Sequence, residues 1–256
     1  MSWDEHARPG LVVTGSPSET ARFGLSFARA TVGTADARQV AAALAAREED
    51  VVVVRLDASR RDVAAALAAT GRVVLPAGTL VYWERPGTLG PLDAPAAPLR
   101  VVDAREPDAP GAAGLDAVVG DSFAAYGNHY AANPLLDPAL ALAGYQEWAR
   151  AALAADDHEV AFLLEGSGLV GAATLEVTPE HVEILLAGLV GAAQGRGAYR
   201  ALLAWCVAVA AQRDVPRVVI STQADNVRVQ RAWARAGFVP FAAVETVHLV
   251  SPQLLG

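Results

Sequence analysis

The chain has 256 residues, 53% of them hydrophobic and 19% charged, enough apolar side chain for one large core or two small ones and too much for a disordered or low-complexity protein. Its formal charge is −8, and all 20 basic residues are arginine. An acidic chain without a basic run is poorly suited to gripping a phosphate backbone, which excludes nucleic acid as the main partner.

Hydrophobic periodicity and breaker residues predict the elements in chain order. Ala35 to Arg47 reads as a helix, Val51 to Leu56 as a buried strand, Arg60 to Ala69 as a second helix stopped by Gly71, and Gly78 to Trp83 as a strand. Prolines 86, 91, 95, 98, 107 and 110 then crowd one stretch. Proline removes a backbone donor and fixes φ, so a domain boundary is expected near residues 86–98. Beyond it, Leu99 to Val102 reads as a strand, Leu115 to Phe123 as a helix, Tyr126 to Pro138 as a polar and aromatic loop, and Ala139 to Ala154 as a helix. A meander follows, with strands Val160 to Glu165, Leu169 to Val177 and His181 to Val190. A glycine-rich loop from Gly191 to Gly197 leads into a helix to Gln212. The closing elements are a strand Pro216 to Ser221, a helix Asn226 to Ala236 stopped by Gly237, and a strand Val244 to Val250.

Residues 52–83 align without a gap on residues 218–249. Val52-Val53-Val54 falls on Val218-Val219-Ile220, Val63 on Val229, Gly71 on Gly237 and Val81 on Val247. The shared strand–helix–glycine–strand order suggests a duplication. The first copy has Arg60 where the second has Asn226, and no glycine-rich loop precedes it, so the first copy is expected to lack a site.

Several chemistries fall away. A lone cysteine, Cys206, excludes an internal disulfide and multi-cysteine clusters, and its apolar helical setting marks it as core. The five histidines, at 6, 129, 158, 181 and 248, show no ligand spacing, so no metal site is expected. The opening Met-Ser-Trp-Asp-Glu-His is not a signal-peptide pattern, and the longest uncharged apolar run, Ala201 to Ala211, is shorter than the roughly 20 residues of a membrane span. A cytoplasmic protein without a membrane partner is the resulting expectation.

Gln194-Gly-Arg-Gly-Ala198 lies between a strand and a helix. Two glycines let backbone N–H groups converge and a helix start adds positive potential, which suits a pyrophosphate; a plain turn fits the spacing equally well. The loop lacks the third glycine of a Rossmann fingerprint and the Gly-Lys-Ser/Thr ending of a P-loop. With the strand before it, the strand ending Ser221-Thr-Gln223, and Asn226 leading to Ala236-Gly-Phe238, it resembles the acyl-CoA core of the GNAT N-acetyltransferases. Within that superfamily the layout is most similar to the dTDP-4-amino-sugar (dTDP-fucosamine) acetyltransferases, on the strength of Glu19-Thr-Ala-Arg-Phe-Gly24, Asn128-His-Tyr-Ala-Ala-Asn-Pro134, Tyr145-Gln-Glu-Trp148, and Thr222-Gln223 with Asn226.

The resemblance implies an α/β (α+β) GNAT fold in tandem, with a truncated half without an active site over residues 1–88 and a complete catalytic domain over 98–256. It implies acetyl transfer from acetyl-CoA to the amine of a small molecule, a nucleotide-linked amino sugar or a specialised metabolite, by a chain that can form a homodimer. Backbone groups of Leu189 and Val190 would pair with the pantetheine arm, and Gln194, Gly195, Arg196, Gly197 and Ala198 would hold the pyrophosphate. Asn226 would bond the pantetheine or a phosphate. Tyr126, His129, Tyr130 and Gln223 would contact the acceptor. Two departures stand out. Ala192 occupies the place of a loop-ordering Gln or Arg, and Trp233 stands beside the CoA sulfur where the family carries a tyrosine acid. Indole donates a hydrogen bond but does not titrate near neutrality, so Trp233 is not expected to serve as an acid.

Two residues compete as base. Glu183 lies on the strand where several GNATs place one, against the plainer reading of a solvent-facing glutamate; His129 has a suitable unperturbed pKa, against a merely hydrogen-bonding role. Tyr199, Tyr130 and Tyr126 are candidates for the missing acid. A non-catalytic acyl-CoA-binding protein is the alternative that Trp233 raises.

Overall fold

The computed structural model describes residues 3, 9–93, 98–124 and 126–254. These residues form two compact units. Unit 1 is drawn from Met1–Val81, Gly127–Ala141 and Ala242–Gly256, and unit 2 from Tyr82–Tyr126 and Leu142–Phe241.

Unit 1 contains β1 (Leu11–Gly15), α1 (Pro17–Phe23), β2 (Phe27–Val32), α2 (Ala37–Ala45), β3 (Val51–Asp57), α3 (Arg61–Ala66) with a 3₁₀ turn to Thr70, and the first part of β4 (Val73–Pro86). It is completed by the last part of β10 (Val239–Val250). Val51 to Val54 form a β-branched run buried on both faces, as a strand between two neighbours requires. β2 lies parallel to β3, and Val244 to Val250 of β10 lie antiparallel to it. Asp36 caps α2 by accepting from the amides of Arg38 and Gln39, and the helix buries Val40 and Leu44 against Val52, Val54, Leu56 and Leu249. Each such side chain contributes about 1.5–3 kcal/mol by leaving water. The elements β1, α1 and β2 escape the sequence reading because they are short and β2 carries Arg29 in mid-strand.

Unit 2 contains the end of β4, β5 (Leu99–Asp103), α4 (Gly111–Phe123), most of α5 (Pro138–Ala152), β6 (His158–Glu165), β7 (Gly168–Val177), β8 (Val182–Leu189), α6 (Tyr199–Gln212), β9 (Arg217–Gln223), α7 (Val227–Arg235) and the start of β10. Its strands run in the order β4-β9-β8-β7-β6-β5. The pairs from β5 to β8 are antiparallel, whereas β8 and β9 are parallel. Leu202, Leu203, Cys206 and Val209 of α6 pack with Val182, Ile184, Val218 and Ile220 in one core. Leu115, Val118 and Val119 of α4 and Ala149 of α5 pack with Val160, Phe162, Ala172 and Leu186 in another.

This division differs from the expected boundary at 86–98. Residues 127–141 and 242–256, expected in the second domain, belong to unit 1, and residues 82–88, expected in the first, belong to unit 2. The cause is pairing. Val244 to Val250 take β3 as partner, while Trp83 meets Trp233 edge-on at 6.1 Å and Glu84 binds Arg217 at 2.8 Å. Proline density marks where the chain leaves regular structure, but hydrogen bonds and contacts decide which unit a strand joins.

The internal repeat has a structural counterpart. β3, α3, Gly71 and β4 follow the same order as β9, α7, Gly237 and β10. The residues before the two helices have nearly the same torsions, φ −78 and ψ 57 at Arg60 against φ −77 and ψ 58 at Asn226. Gly71 and Gly237 are both left-handed, at φ 73 and 83.

Candidate active site

The candidate site is built where β8 and β9 part. The two strands pair only through Val182 to Ile184 and Val218 to Ile220. Opposite this point the β7–β8 register jumps, with Thr174 facing Leu186 and Leu175 facing Ile184. Leu185 is therefore an extra residue on β8, and such a bulge bends the strand and ends regular pairing. The backbone of β8 beyond Ile184 has no β9 partner in the register.

The glycine loop stands past the end of β8. Gly195 and Gly197 have φ of 82° and 85°, a region that side chains with a Cβ disfavour, and a Cβ on Gly197 would meet nothing within 4 Å. Helix α6 starts without a side-chain cap. Successive amides beside an uncapped helix start form a concavity suited to an anion. The loop is braced from below: Gln194 Nε2 donates to the Leu189 carbonyl at 3.0 Å, and Arg228 Nη1 donates to Gln194 Oε1 at 3.0 Å. Arg196 pairs with Glu165 at 2.8 Å. Arg228, which the sequence reading passed over, places Nη2 3.6 Å from the position a Gly195 Cβ would take. Its only sequence signal is its place two residues after Asn226.

Three backbone groups of Leu189 and Val190 already have partners within unit 2. The Leu189 carbonyl accepts from Gln194, the Val190 amide donates to the Val170 carbonyl at 3.0 Å, and the Val190 carbonyl accepts from the Ala193 amide at 2.9 Å. β8 pairs with β7 from Val182 to Leu189, while its register with β9 ends at Ile184, so the backbone from Leu185 onward is the part without a β9 partner. A Cβ at Gly188 would come within 2.5 Å of Ser122 Oγ, so glycine lets the end of α4 lie against β8.

At the end of β9, Asn226 Nδ2 donates to Thr222 Oγ1 at 3.0 Å, and the Gln223 amide lies 3.4 Å from the Tyr126 hydroxyl. Tyr126 packs with Phe123 and Tyr145 at centroid distances of 5.3 and 6.2 Å. The structure thus brings Gln223, Asn226 and Tyr126 together. Trp233 is 1% exposed, and its Nε1 donates to the Tyr199 hydroxyl oxygen at 3.2 Å.

Glu183 is 2% exposed, so the solvent-facing alternative is wrong. It lies one step before the bulge's start, with His181 Nε2 3.9 Å from its Oε2 and Glu176 directly across on β7. Burial, and then the Glu183 charge, push the Glu176 carboxyl upward.

His129 and Tyr130 sit elsewhere, inside unit 1. His129 Nδ1 is 2.9 Å from His248 Nε2, and both rings are buried. The Tyr130 hydroxyl donates to Glu19 Oε1 at 2.7 Å, and Arg29 Nε donates to Glu19 Oε2 at 2.6 Å. Burial, followed by Arg55 and His248, drives the His129 pKa well below its ordinary value. Thus the segments Glu19–Gly24 and Asn128–Pro134, which suggested an amino-sugar acceptor, bind each other in a unit that does not hold the glycine loop. His129 cannot take up a proton there without leaving an uncompensated buried charge, which counts against it as the base.

Among the described residues no group of His, Cys, Asp and Glu could hold a metal ion, and no helix is long and apolar enough to cross a membrane.

Residues 127–238 match the profile of the acetyltransferase (GNAT) family. No curated protein matches the chain. Among solved structures, a GCN5-related N-acetyltransferase from Sphaerobacter thermophilus superposes with a TM-score of 0.62 at 16% identity, over 94% of this chain and 76% of that one. One from Kribbella flavida gives 0.56 at 17%, over 89% and 81%. A tandem GNAT protein from the clavulanic acid biosynthesis pathway, without acetyl-CoA, gives 0.54 at 12%, over 96% and 85%. Identities at this level speak to fold alone. The fold is GNAT-like α/β with mixed strand pairing, and the profile match over residues 127–238 supports acyl transfer in general.

Proposed function

We propose that the protein is an N-acetyltransferase that transfers the acetyl group of acetyl-CoA to the amine of a small molecule, with nucleotide-linked amino sugars and specialised-metabolite amines as the acceptor classes. The observation that carries this reading is the parting of β8 from β9 at Ile184, on the strand that leads to a loop with two positive-φ glycines. An extended amide chain ending in a pyrophosphate needs both features: an open strand edge to bond its amides, and converging N–H groups for its charge.

The residues present fit that group. Amides of Gln194 to Ala198 would hold the pyrophosphate, with the Arg228 guanidinium adding charge, while the backbone of Leu185 to Gly188 would bond the arm. Acetyl-CoA, when bound, supplies an activated thioester. The chain's own part is to orient it, to offer a β8 amide to the carbonyl oxygen as charge develops there, and to remove a proton from the amine at the Glu183 carboxylate, directly or through one water. Gln223, Asn226 and Tyr126 would meet the acceptor. We propose that the tandem layout arose by duplication and that only the second copy kept a site.

Two measurements together test this. Acetyl-CoA should raise the melting temperature, by about 2.7 kcal/mol of added stability at 100 times its Kd, and CoA thiol should be released with at least one member of an amine panel that includes nucleotide amino sugars. An unshifted melt sinks the acyl-CoA reading. A shifted melt without thiol release from any amine favours the non-catalytic alternative.

A further inference from the structure

We propose that the acceptor is an amine carried by an aromatic ring, which seats in a corner formed by Phe123, Tyr126 and Tyr145; this rests on the acetyl-CoA reading above. Past Ile184 and Ile220 the strands β8 and β9 no longer pair. On the β8 side, a Cβ at Gly188 would stand 3.4 Å from Phe123 Cε2, so that ring lies directly against the strand. On the β9 side, the Gln223 amide lies 3.4 Å from the Tyr126 hydroxyl oxygen. The Phe123 and Tyr126 rings meet each other at 5.3 Å and 69°. Two touching rings therefore run from one strand to the other where their backbones have separated. Tyr145 of α5 stacks on Phe123 at 5.4 Å and stands edge-on to Tyr126 at 6.2 Å and 89°.

The three rings are half-buried, whereas Leu115 and Phe162 of the adjoining core are closed over completely. Rings set nearly at right angles make a corner. A flat guest laid on one ring meets the edge of the other, and both offset-stacked and edge-to-face contacts are favourable. A saturated ring of the same size gains only the area it buries. A nucleobase would stack there as well, but the corner adjoins the strand gap itself, so the guest ring and the reacting nitrogen are joined by a short spacer. In a nucleotide sugar a diphosphate and a hexose separate them. The corner's side chains are also uncharged, and the arginine of α5, Arg150, is held by Asp116 at 2.7 and 2.8 Å. A diphosphate would find no cation there.

In the transfer, the nitrogen lone pair forms the C–N bond and the C–S bonding pair leaves on sulfur. The proton lost by nitrogen ends on the free CoA thiol. The corner takes no part in these steps; it selects which amine is presented.

The test is kcat/KM by thiol release for 2-phenylethylamine, tryptamine, 2-cyclohexylethylamine, glucosamine and a nucleotide amino sugar, at saturating acetyl-CoA. The two aromatic amines should lead the panel. 2-Phenylethylamine should exceed 2-cyclohexylethylamine by about two- to tenfold, the size of an aromatic pair. Tyr145→Leu should make those two amines equal by raising KM for the aromatic one, while the acetyl-CoA-induced rise in melting temperature persists. Phe123→Leu repeats the measurement if the first variant does not fold, and the wild-type comparison needs neither. A panel led by either sugar, equal rates for the phenyl and cyclohexyl amines, or a preference that survives Tyr145→Leu overturns the proposal while the acetyl-CoA reading stands. Thiol release from none of the amines also overturns it, and an unshifted melt with acetyl-CoA overturns both.

Discussion

Asp57 to Arg60 in unit 1 and Gln223 to Asn226 in unit 2 stand at the same step of the same strand–turn–helix path, and they finish in opposite ways. In unit 1 the parallel pair is complete: β2 and β3 are in register from Phe27 and Val51 to Val32 and Leu56. Its end is fastened as well. The Ser59 amide donates to Asp57 Oδ1 at 2.8 Å, and Arg60 bonds the carbonyls of Gly33 and Ala35. In unit 2 the parallel pair stops after Ile184 and Ile220, and the turn ends in Asn226, bonded to Thr222. The torsions just before the two helices are shared, so they do not make the opening. The extra residue at Leu185 does, by bending β8 away from β9, and β2 has no counterpart to it.

The comparison is broken most severely at the loop that only unit 2 has. Gly197→Val places a β-branched residue at φ 85° and should abolish the acetyl-CoA-induced rise in melting temperature, while circular dichroism shows the fold retained. A rise equal to that of wild type would remove the loop from the site.

The units should also separate on acidification. Burial lowers the His248 pKa from 6.5 to about 4. The folded form therefore disfavours the proton, so the stability this ring contributes is present above pH ~6.5 and is lost as the pH falls toward ~4, by roughly 3 kcal/mol in all. Glu19 acts in the same direction: burial opposes its ionisation, but Arg29 and the Ser16 and Tyr130 hydrogen bonds outweigh burial and hold its pKa below the usual value. Hydrogen exchange followed from pH 7 to 4.5 should show unit 1 losing protection before unit 2, and His248→Gln should flatten that slope. Simultaneous loss in both units, with or without the substitution, would contradict the assignment.

Glu183→Gln keeps shape and removes the charge. It should lower kcat by about 10²-fold with acetyl-CoA affinity unchanged. Full kcat in this variant would give the proton to solvent instead.

The smallest effect sharpens the comparison rather than breaking it. Arg60→Asn makes the first copy resemble the second at that position. It should cost about 1–2 kcal/mol through the lost carbonyl contacts, yet confer no second acetyl-CoA site, because β2 and β3 remain paired. Titration calorimetry showing a second equivalent bound would mean that the arginine alone had closed the first copy.

Much of the fold was legible before any coordinates. Val51–Leu56, the helix after Gly197 and the Val160–Val190 meander announced themselves through β-branched runs, helical spacing and glycine turns, which are local signals. The loop Gln194–Ala198 and Asn226 were legible for the same reason: their chemistry sits in neighbouring residues. Glu183 was identified by type and strand, but its burial and its neighbours His181 and Glu176 depend on strand register. His129 shows the reverse case. Its sequence context left a loop base and a merely hydrogen-bonding ring both open, and packing against His248 makes it a buried ring.

What the sequence by itself determined is the order of elements, the repeat between residues 52–83 and 218–249, and the two-glycine loop between a strand and a helix, since each follows from interactions between residues near one another in the chain. What only the tertiary structure decided is which unit each closing strand joins, where β8 lets go of β9, and which hydroxyl the Trp233 indole addresses. Those outcomes rest on hydrogen bonds and contacts between segments far apart in sequence. A one-residue bulge or a distant partner redirects them without leaving a local pattern.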